Sequence, residues 1–488
     1  MMLRKSLLQA IAGVLSLAGA ATVIASDLQE DAKYRYPDGS TPLQWAVYDG
    51  DTDRVKTLLK AGADVNATNN YGANAMQLAA EVADTRMLKL LLDAGANADS
   101  PNPEGQTALM LVARTGNVDA AKLLVKHGAT VDAREGWGQQ TALMWASARR
   151  HPEMMAYLIA QGADINARSV WRDYQRHLTA ESRAKNMDSG GLTPLLYAAR
   201  ENCLECVKVL LKNGVDKDLP DPDRVSPLLL SIINTNWDIA KLLIEAGADV
   251  NQWDIYGQAP LFAAAMRQPQ ADVTSIDTLN ETNGATVVRM LLDAGANPNM
   301  QLFMRPADLF GSGVSRGTTP LHAAVANSDP EIVSLLIERG AEVNRNDADN
   351  ESALMLVMQR RDRAGVVPII ETLVTAGADV DANALYHHLQ RTRGGTPLHY
   401  AVRAGNNAAI EALVKAGAEV NQKDPDGLTA LDYAMARGYI PFLQKREAPR
   451  MDLAKTLRAS GATVELPEEP YWPPVGPPIG YEATIWPL

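Results

Sequence analysis

The stretch ENCLECVK, residues 201–208, holds the only two cysteines of a 488-residue chain. A Cys-x-x-Cys pair can be half a zinc site, a haem attachment, a redox couple or a staple. Covalent haem needs a histidine directly after the second cysteine, and Val207 stands there. Zinc needs further ligands, and no second cysteine pair exists; His177 is only a distant possibility. A thiol–disulfide enzyme places such a pair in a βαβ context that this chain lacks. In an oxidising compartment, two cysteines three apart at the start of a helix can close a small disulfide. A staple between Cys203 and Cys206 is therefore expected. A reduced buried pair, or a thiol activated by the helix N-terminus, stays open as the alternative.

Other chemistry finds no foothold. The chain contains no G-x-S-x-G, no H-E-x-x-H and no P-loop signature. His387-His388 is an adjacent pair in an apparent insertion and would need ligands from elsewhere. The many acidic residues do not follow the spacing of a calcium-binding loop. No catalytic residue, metal or cofactor is expected. A formal net charge of −12 argues against nucleic acid, whose phosphates require a Lys/Arg-rich surface.

The first residues differ in kind from the rest. MMLRK carries two positive charges, an uncharged apolar run follows, and Val23 and Ala25 stand at −3 and −1 before Ser26. This is the pattern of a secretory signal peptide over 1–25. The expectation is an exported, most simply periplasmic, protein with no membrane insertion after cleavage. An inner-membrane anchor through the uncleaved segment is the alternative. A lead-in over 26–37 follows.

From there one unit repeats. GSTPLQWAVYDGDTDRVKTLLKAGADVN at 39–66 returns as GQTALMLVARTGNVDAAKLLVKHGATVD at 105–132 and as GTTPLHAAVANSDPEIVSLLIERGAEVN at 317–344. Repeats begin near 39, 72, 105, 138, 191, 224, 257, 317, 350, 394 and 427, most steps being 33 or 34 residues. In each, Thr or an equivalent caps a short apolar helix, often with Pro at its first position, as at Thr41-Pro42. A polar turn leads to a second helix with apolar residues at helical spacing, such as Val55, Leu58 and Leu59, which Gly62 ends. An extended finger follows. Neither helix is long enough to stand alone, so each repeat must bury its faces against its neighbours.

The TPLH-x-A element followed by LL-x-x-GA-D/E-VN resembles the ankyrin repeat, over residues 38–464. The resemblance implies an all-α repeat solenoid of about eleven helix-turn-helix units with extended or β-hairpin fingers. It also implies a protein-binding function, with His322 and His399 bracing the loop of an adjacent repeat rather than acting as catalysts. The other repeats place Gln44, Gln77, Met110, Met144, Leu196, Leu229, Phe262, Met355 or Asp432 in that histidine slot.

Partner contacts are expected on a concave face of fingers and first helices, from aromatics and arginines, the usual anchors of interfaces. Tyr71, Trp137, Ile255 and Tyr256 lie on fingers, with Trp253 close by. Arg149, Arg150 and Arg267 lie at first-helix ends. Trp45, Trp145, Tyr197, Tyr400 and Tyr433 share the slot after the histidine position and read as packing residues. Insertions at 168–190, 300–316 and 382–393 extend the fingers, the first carrying Trp171 and Tyr174. The 465–488 tail has seven prolines among its final 24 residues, with Trp472 and Trp486, and favours an extended PPII chain that docks on itself or on a partner. The reading is a non-catalytic module binding another protein in the periplasm. The alternatives are a structural or chaperone-like accessory subunit of an enzyme complex and, more remotely, a redox protein using the cysteine pair.

Overall fold

A computed structural model describes residues 30–171, 190–266, 283–304, 315–358, 365–384, 394–425, 427–435 and 450–463. The described residues divide into two compact units, one up to Leu230 and the other from Ser231.

In the first unit, the short helices Pro42–Tyr48, Ala75–Glu81, Ala108–Thr115, Ala142–Ala148 and Pro194–Arg200 pack side by side in one layer. The longer helices Thr52–Lys60, Thr85–Asp93, Val118–Lys126, Pro152–Ala160 and Leu204–Lys212 form a second layer behind them. The second unit repeats the scheme. Pro260–Met266, Pro320–Ala326, Ala353–Met358, Pro397–Ala404 and Ala430–Ala434 are its short helices. Gly284–Asp293, Pro330–Glu338, Val366–Thr375, Asn407–Lys415 and Met451–Ala459 back them. The all-α ankyrin solenoid expected from the repeat is what each unit builds. The fingers are extended loops, and isolated antiparallel bridges such as Thr68–Asn74 are the pairing they show among the described residues.

Local chemistry explains the recurring boundaries. The Thr107 hydroxyl accepts from the amide of Met110 and that of Thr193 from Leu196, answering one of the open amides of each short helix. Asp51, Asn117 and Asn406 do the same at the second helices. Gly62 ends its helix at φ +87°, a conformation that side chains with a Cβ resist. The short helices approach one another closely because small residues face their neighbours: Ala46, Ala79, Ala146 and Ala198 in the first unit, Ala264, Ala324 and Ala401 in the second, all buried. Behind them Val55, Leu58, Leu88, Leu91 and Leu124 are almost wholly withdrawn from water, each contributing about 2 kcal/mol of apolar transfer.

Side chains lock successive repeats together. Asn299 donates through Nδ2 to the Gly340 carbonyl at 2.9 Å while its Oδ1 accepts from the Glu342 amide at 2.8 Å. Asn66, Asn251, Asn344 and Asn421 make the same pair of bonds into the loop one repeat on. The VN that ends the GADVN sequence is thus a tether. An amide suits the place because it donates and accepts from adjacent atoms. Where Asp99 or Asp381 replaces it, the bond to the next amide remains.

His322 and His399 brace the following repeat as the family resemblance implies. The Thr319 amide donates to His322 Nδ1, so Nε2 carries the proton and donates to the Glu351 carbonyl at 3.2 Å. His399 does the same between Thr396 and Leu428. Gln44 matches this bonding in an unlike side chain: its Oε1 accepts from the Thr41 amide and its Nε2 donates to the Ala67 and Ala73 carbonyls, all within 2.9 Å. Gln77 spans Asn74 and Ser100 similarly, more loosely at 3.5 Å to the Ser100 carbonyl. The glutamines are therefore equivalents of the histidine, not departures from it.

Candidate protein-interaction site

The fingers present their aromatic residues on turns held by a preceding polar side chain. The Asn69 Oδ1 accepts from the amides of Tyr71 and Ala73, leaving the Tyr71 ring 72% exposed. Both Glu135 oxygens gather the amides of Trp137, Gly138 and Gln140, and Trp137 stands 69% exposed above them. These short backbone-to-carboxylate bonds explain why acidic residues fill finger slots without forming a reactive site. Trp171, 53% exposed, pairs across an antiparallel bridge with Gly190 at the stem of the insertion between repeats.

Arg149 and Arg150 are exposed at the end of the helix Ala142–Ala148. Arg150 adopts φ +61°, but the same turn holds Gly116 and Gly405 in other repeats, so the conformation belongs to the turn. In the second unit Trp253, Ile255 and Tyr256 are half-buried. Trp253 meets Phe303 edge-to-face at 5.1 Å, and the Tyr256 carbonyl accepts from the Phe303 amide at 2.8 Å, so this finger packs on the next. Phe303 also lines a recess of about 430 Å³ with Gln301, Leu302, Arg316 and Asn346. Tyr174, Arg267, the pair His387-His388, Trp472 and Trp486 lie outside the described residues.

The cysteine pair sits where the other repeats place their cap. Cys203 and Cys206 are joined as a disulfide, and Cys203 Sγ accepts from the Cys206 amide at the position that Asn117 occupies elsewhere. Both residues are buried. Thiol exchange needs a nucleophile to reach one of the two sulfurs, and burial denies it that access. The arrangement is a staple at a helix start.

Two features escaped the sequence. Arginines at short-helix ends lie over aromatic rings: Arg200 over Tyr197 at 5.0 Å, Arg403 over Tyr400 at 4.6 Å and over Tyr433 at 5.3 Å, and Arg114 over Trp145 at 5.9 Å. The spacing of an aromatic and an Arg three residues later, in Tyr197/Arg200 and Tyr400/Arg403, was the available signal. Trp45 also departs from expectation. Tyr197 and Tyr400 in the same slot are buried, with hydroxyls engaged by Gln140 and Glu351 respectively. Trp45 belongs to the first helix pair and is 44% exposed, because no earlier repeat among the described residues covers it. It stacks edge-to-face with Tyr36 and Tyr48, and Tyr36 with Tyr34, making an open aromatic row.

Among the described residues, no group of three or more His, Cys, Asp or Glu side chains could hold a metal ion. No helix there is long and apolar enough to cross a membrane.

The family model described as ankyrin repeats (3 copies) matches residues 14–102, 76–169, 195–302, 279–384 and 363–445. Among curated proteins, the chain is 30% identical over 211 residues to the B-cell lymphoma 3 protein homolog of Mus musculus, covering 40% of this chain and 46% of that protein. It is 29% identical over 269 residues to the human B-cell lymphoma 3 protein, covering 54% of this chain and 51% of the other. The phosphocholine transferase AnkX of Legionella pneumophila is 24% identical over 59% of this chain and 29% of its own length. The chain thus spans about half or less of the length of these relatives. A crystal structure of the ankyrin repeat domain of Bcl-3 matches with a TM-score of 0.40 and 25% identity, over 46% of this chain and 94% of that one.

Proposed function

Because this chain belongs to the ankyrin-repeat family, whose members generally act as protein-interaction modules, we propose that it is an exported, non-catalytic protein that binds a second protein through the fingers and short-helix ends of its first unit. The observation that carries this reading is the uneven placement of exposed large apolar side chains. Tyr71, Trp137 and Trp171 stand open on three fingers of the first unit, whereas in the second Trp253 and Tyr256 are half-covered and Phe303 is the exposed finger aromatic. Aromatic rings held on short turns offer contact area at little entropic cost, and Arg149 and Arg150 add charged anchors beside them. The signal-like first 25 residues and the buried disulfide both fit an oxidising, exported setting, most simply the periplasm.

The test is a pull-down from periplasmic extract with the chain from Ser26 onward, beside a Tyr71→Ala/Trp137→Ala variant. A stoichiometric partner that the variant retains at least tenfold less tightly supports the reading. Absence of any stoichiometric partner, or fractionation of the protein with the cytoplasm, refutes it.

A further inference from the structure

The slot that braces one repeat to the next is filled by different chemistry in the two units. In the first, Gln44 and Gln77 make the brace and Met110, Met144, Leu196 and Leu229 occupy the other slots, so none of them titrates. In the second, imidazoles make it, at His322 and His399. Both rings are buried, whereas in the first unit His127 is exposed and His151 half-buried. We propose that the second unit is an acid-responsive element, its repeats parting more often as pH falls from neutral toward about 5 while the braces of the first unit are unaffected.

The geometry of the brace dictates the response. His322 Nδ1 meets the Thr319 amide at 3.4 Å and the Thr319 hydroxyl at 2.8 Å, while Nε2 donates to the Glu351 carbonyl at 3.2 Å. His399 repeats this with Thr396 at 3.2 and 2.8 Å and the Leu428 carbonyl at 3.0 Å. The hydroxyl can turn to accept a proton from Nδ1, but the amide cannot. A charged ring therefore aims a proton at a fixed donor, in a site closed to water, and charging favours states in which the slot has opened.

Little around His322 offsets that cost. The helices Pro260–Met266 and Ala353–Met358 carry no titratable residue, and Glu331 and Glu338 of Pro330–Glu338 are exposed. On the facing finger, Glu351 gives its carboxylate to Tyr400, Asp347 takes the Ser315 hydroxyl and the amides of Asp349 and Glu351, and Asp349 is buried in the same turn. Burial holds the His322 pKa down at about 4. Around His399 burial lowers the pKa, the Leu428 carbonyl, Asp424 and Asp432 oppose that, and Arg403 adds to it. Glu411 and Lys415 of its backing helix are exposed. His322 is the stronger trigger. In the first unit, the Ser40 amide and hydroxyl lower the pKa of Asp38, and the hydrogen bond from Lys89 lowers that of Asp93. Any stability those two contribute is lost below about pH 4, under this window.

Hydrogen exchange tests this on the chain from Ser26 onward, read as amide protection corrected for the intrinsic rate at each pH. Between about pH 7.5 and about pH 5, His322 alone multiplies the open population about thirtyfold. Protection in Pro320–Ala326 and Ala353–Met358 should fall by that factor, and in Pro42–Tyr48 and Ala108–Thr115 by less than about threefold. His322→Gln/His399→Gln should cut the second unit's loss to that lower level while leaving Glu351, Asp424 and Asp432 in place; His322→Gln alone gives a second reading. Gln44→His should carry the response into the first unit, with at least about a tenfold loss in Pro42–Tyr48. Circular dichroism at neutral pH establishes that each variant is folded, and the residues Tyr71 and Trp137 of the partner reading are untouched. Equal loss in both units overturns the proposal. So does a loss that survives in the double glutamine variant, which assigns the response to the carboxylates, or a Gln44→His chain whose first helix responds as wild type does.

Discussion

His322 and Glu351 join two repeats through one proton: the imidazole Nε2–H donates to the Glu351 carbonyl at 3.2 Å while Nδ1 accepts from the Thr319 amide. Burial holds this imidazole neutral and pushes its pKa down to about 4, against the weaker opposing pull of the Glu351 carbonyl. The folded value lies below the unfolded one of about 6.5. Above pH 6.5 the ring is neutral in both states and contributes no pH dependence. As pH falls from there to about 4, the unfolded chain takes up a proton that the folded chain refuses, and on the order of 3 kcal/mol of stability is lost. His322→Gln should keep both hydrogen bonds, as Gln44 does, and remove that part of the acid sensitivity. Denaturant midpoints between pH 7 and 4.5 check this; equal slopes for wild type and variant would contradict it.

The asparagine tethers make a graded prediction. Asn299→Ala removes the bonds to the Gly340 carbonyl and from the Glu342 amide, and should cost about 1–2 kcal/mol. Asn299→Asp keeps the acceptor and loses only the donor, so it should cost about half as much. Amide hydrogen exchange at Glu342 separates the two variants. It should accelerate in the alanine variant and stay close to wild type in the aspartate variant.

Tyr400 donates to the Glu351 carboxylate at 2.8 Å with both side chains buried. Burial raises the phenol pKa well above its ordinary value, and the adjacent carboxylate raises it further, so the hydroxyl remains a donor throughout the accessible pH range. Tyr400→Phe should destabilise the second unit by about 1–3 kcal/mol, because it leaves a buried carboxylate short of a donor. Ultraviolet titration of wild type should show this phenol silent until the protein unfolds.

The disulfide between Cys203 and Cys206 closes a very short loop, so chain entropy assigns it only about 2 kcal/mol. Cys203→Ser/Cys206→Ala should lose about that much, because a serine hydroxyl can take over the cap of Leu204–Lys212. Replacing both cysteines with alanine should cost about 1 kcal/mol more. Thiol titration should detect no free thiol in the native or the unfolded oxidised chain, and two after reduction and unfolding.

The stacked helix pairs were legible because the capping threonine, the helix glycine and the apolar spacing all recur in register, each for its own physical reason. In the Gln44 slot, residue type conceals what the atoms can do: an amide presents an acceptor and a donor much as a neutral imidazole does. Trp45 misled for a different reason. Its slot is a packing slot only where a neighbouring repeat closes over it, and a pattern averaged over repeats does not carry that condition. The finger aromatics were visible as candidates, but Trp253 and Trp137 could not be told apart without Phe303, a residue some fifty positions away that covers only the former.

Every asparagine tether described reaches one repeat forward and no further. Excising or copying a whole repeat leaves each remaining tether facing a loop of the same kind. An insertion of arbitrary length within the tethered loop breaks the match. Such a chain can gain or lose whole repeats of about 33 residues without orphaning a tether, and it can take up extra residues only outside the tethered loops.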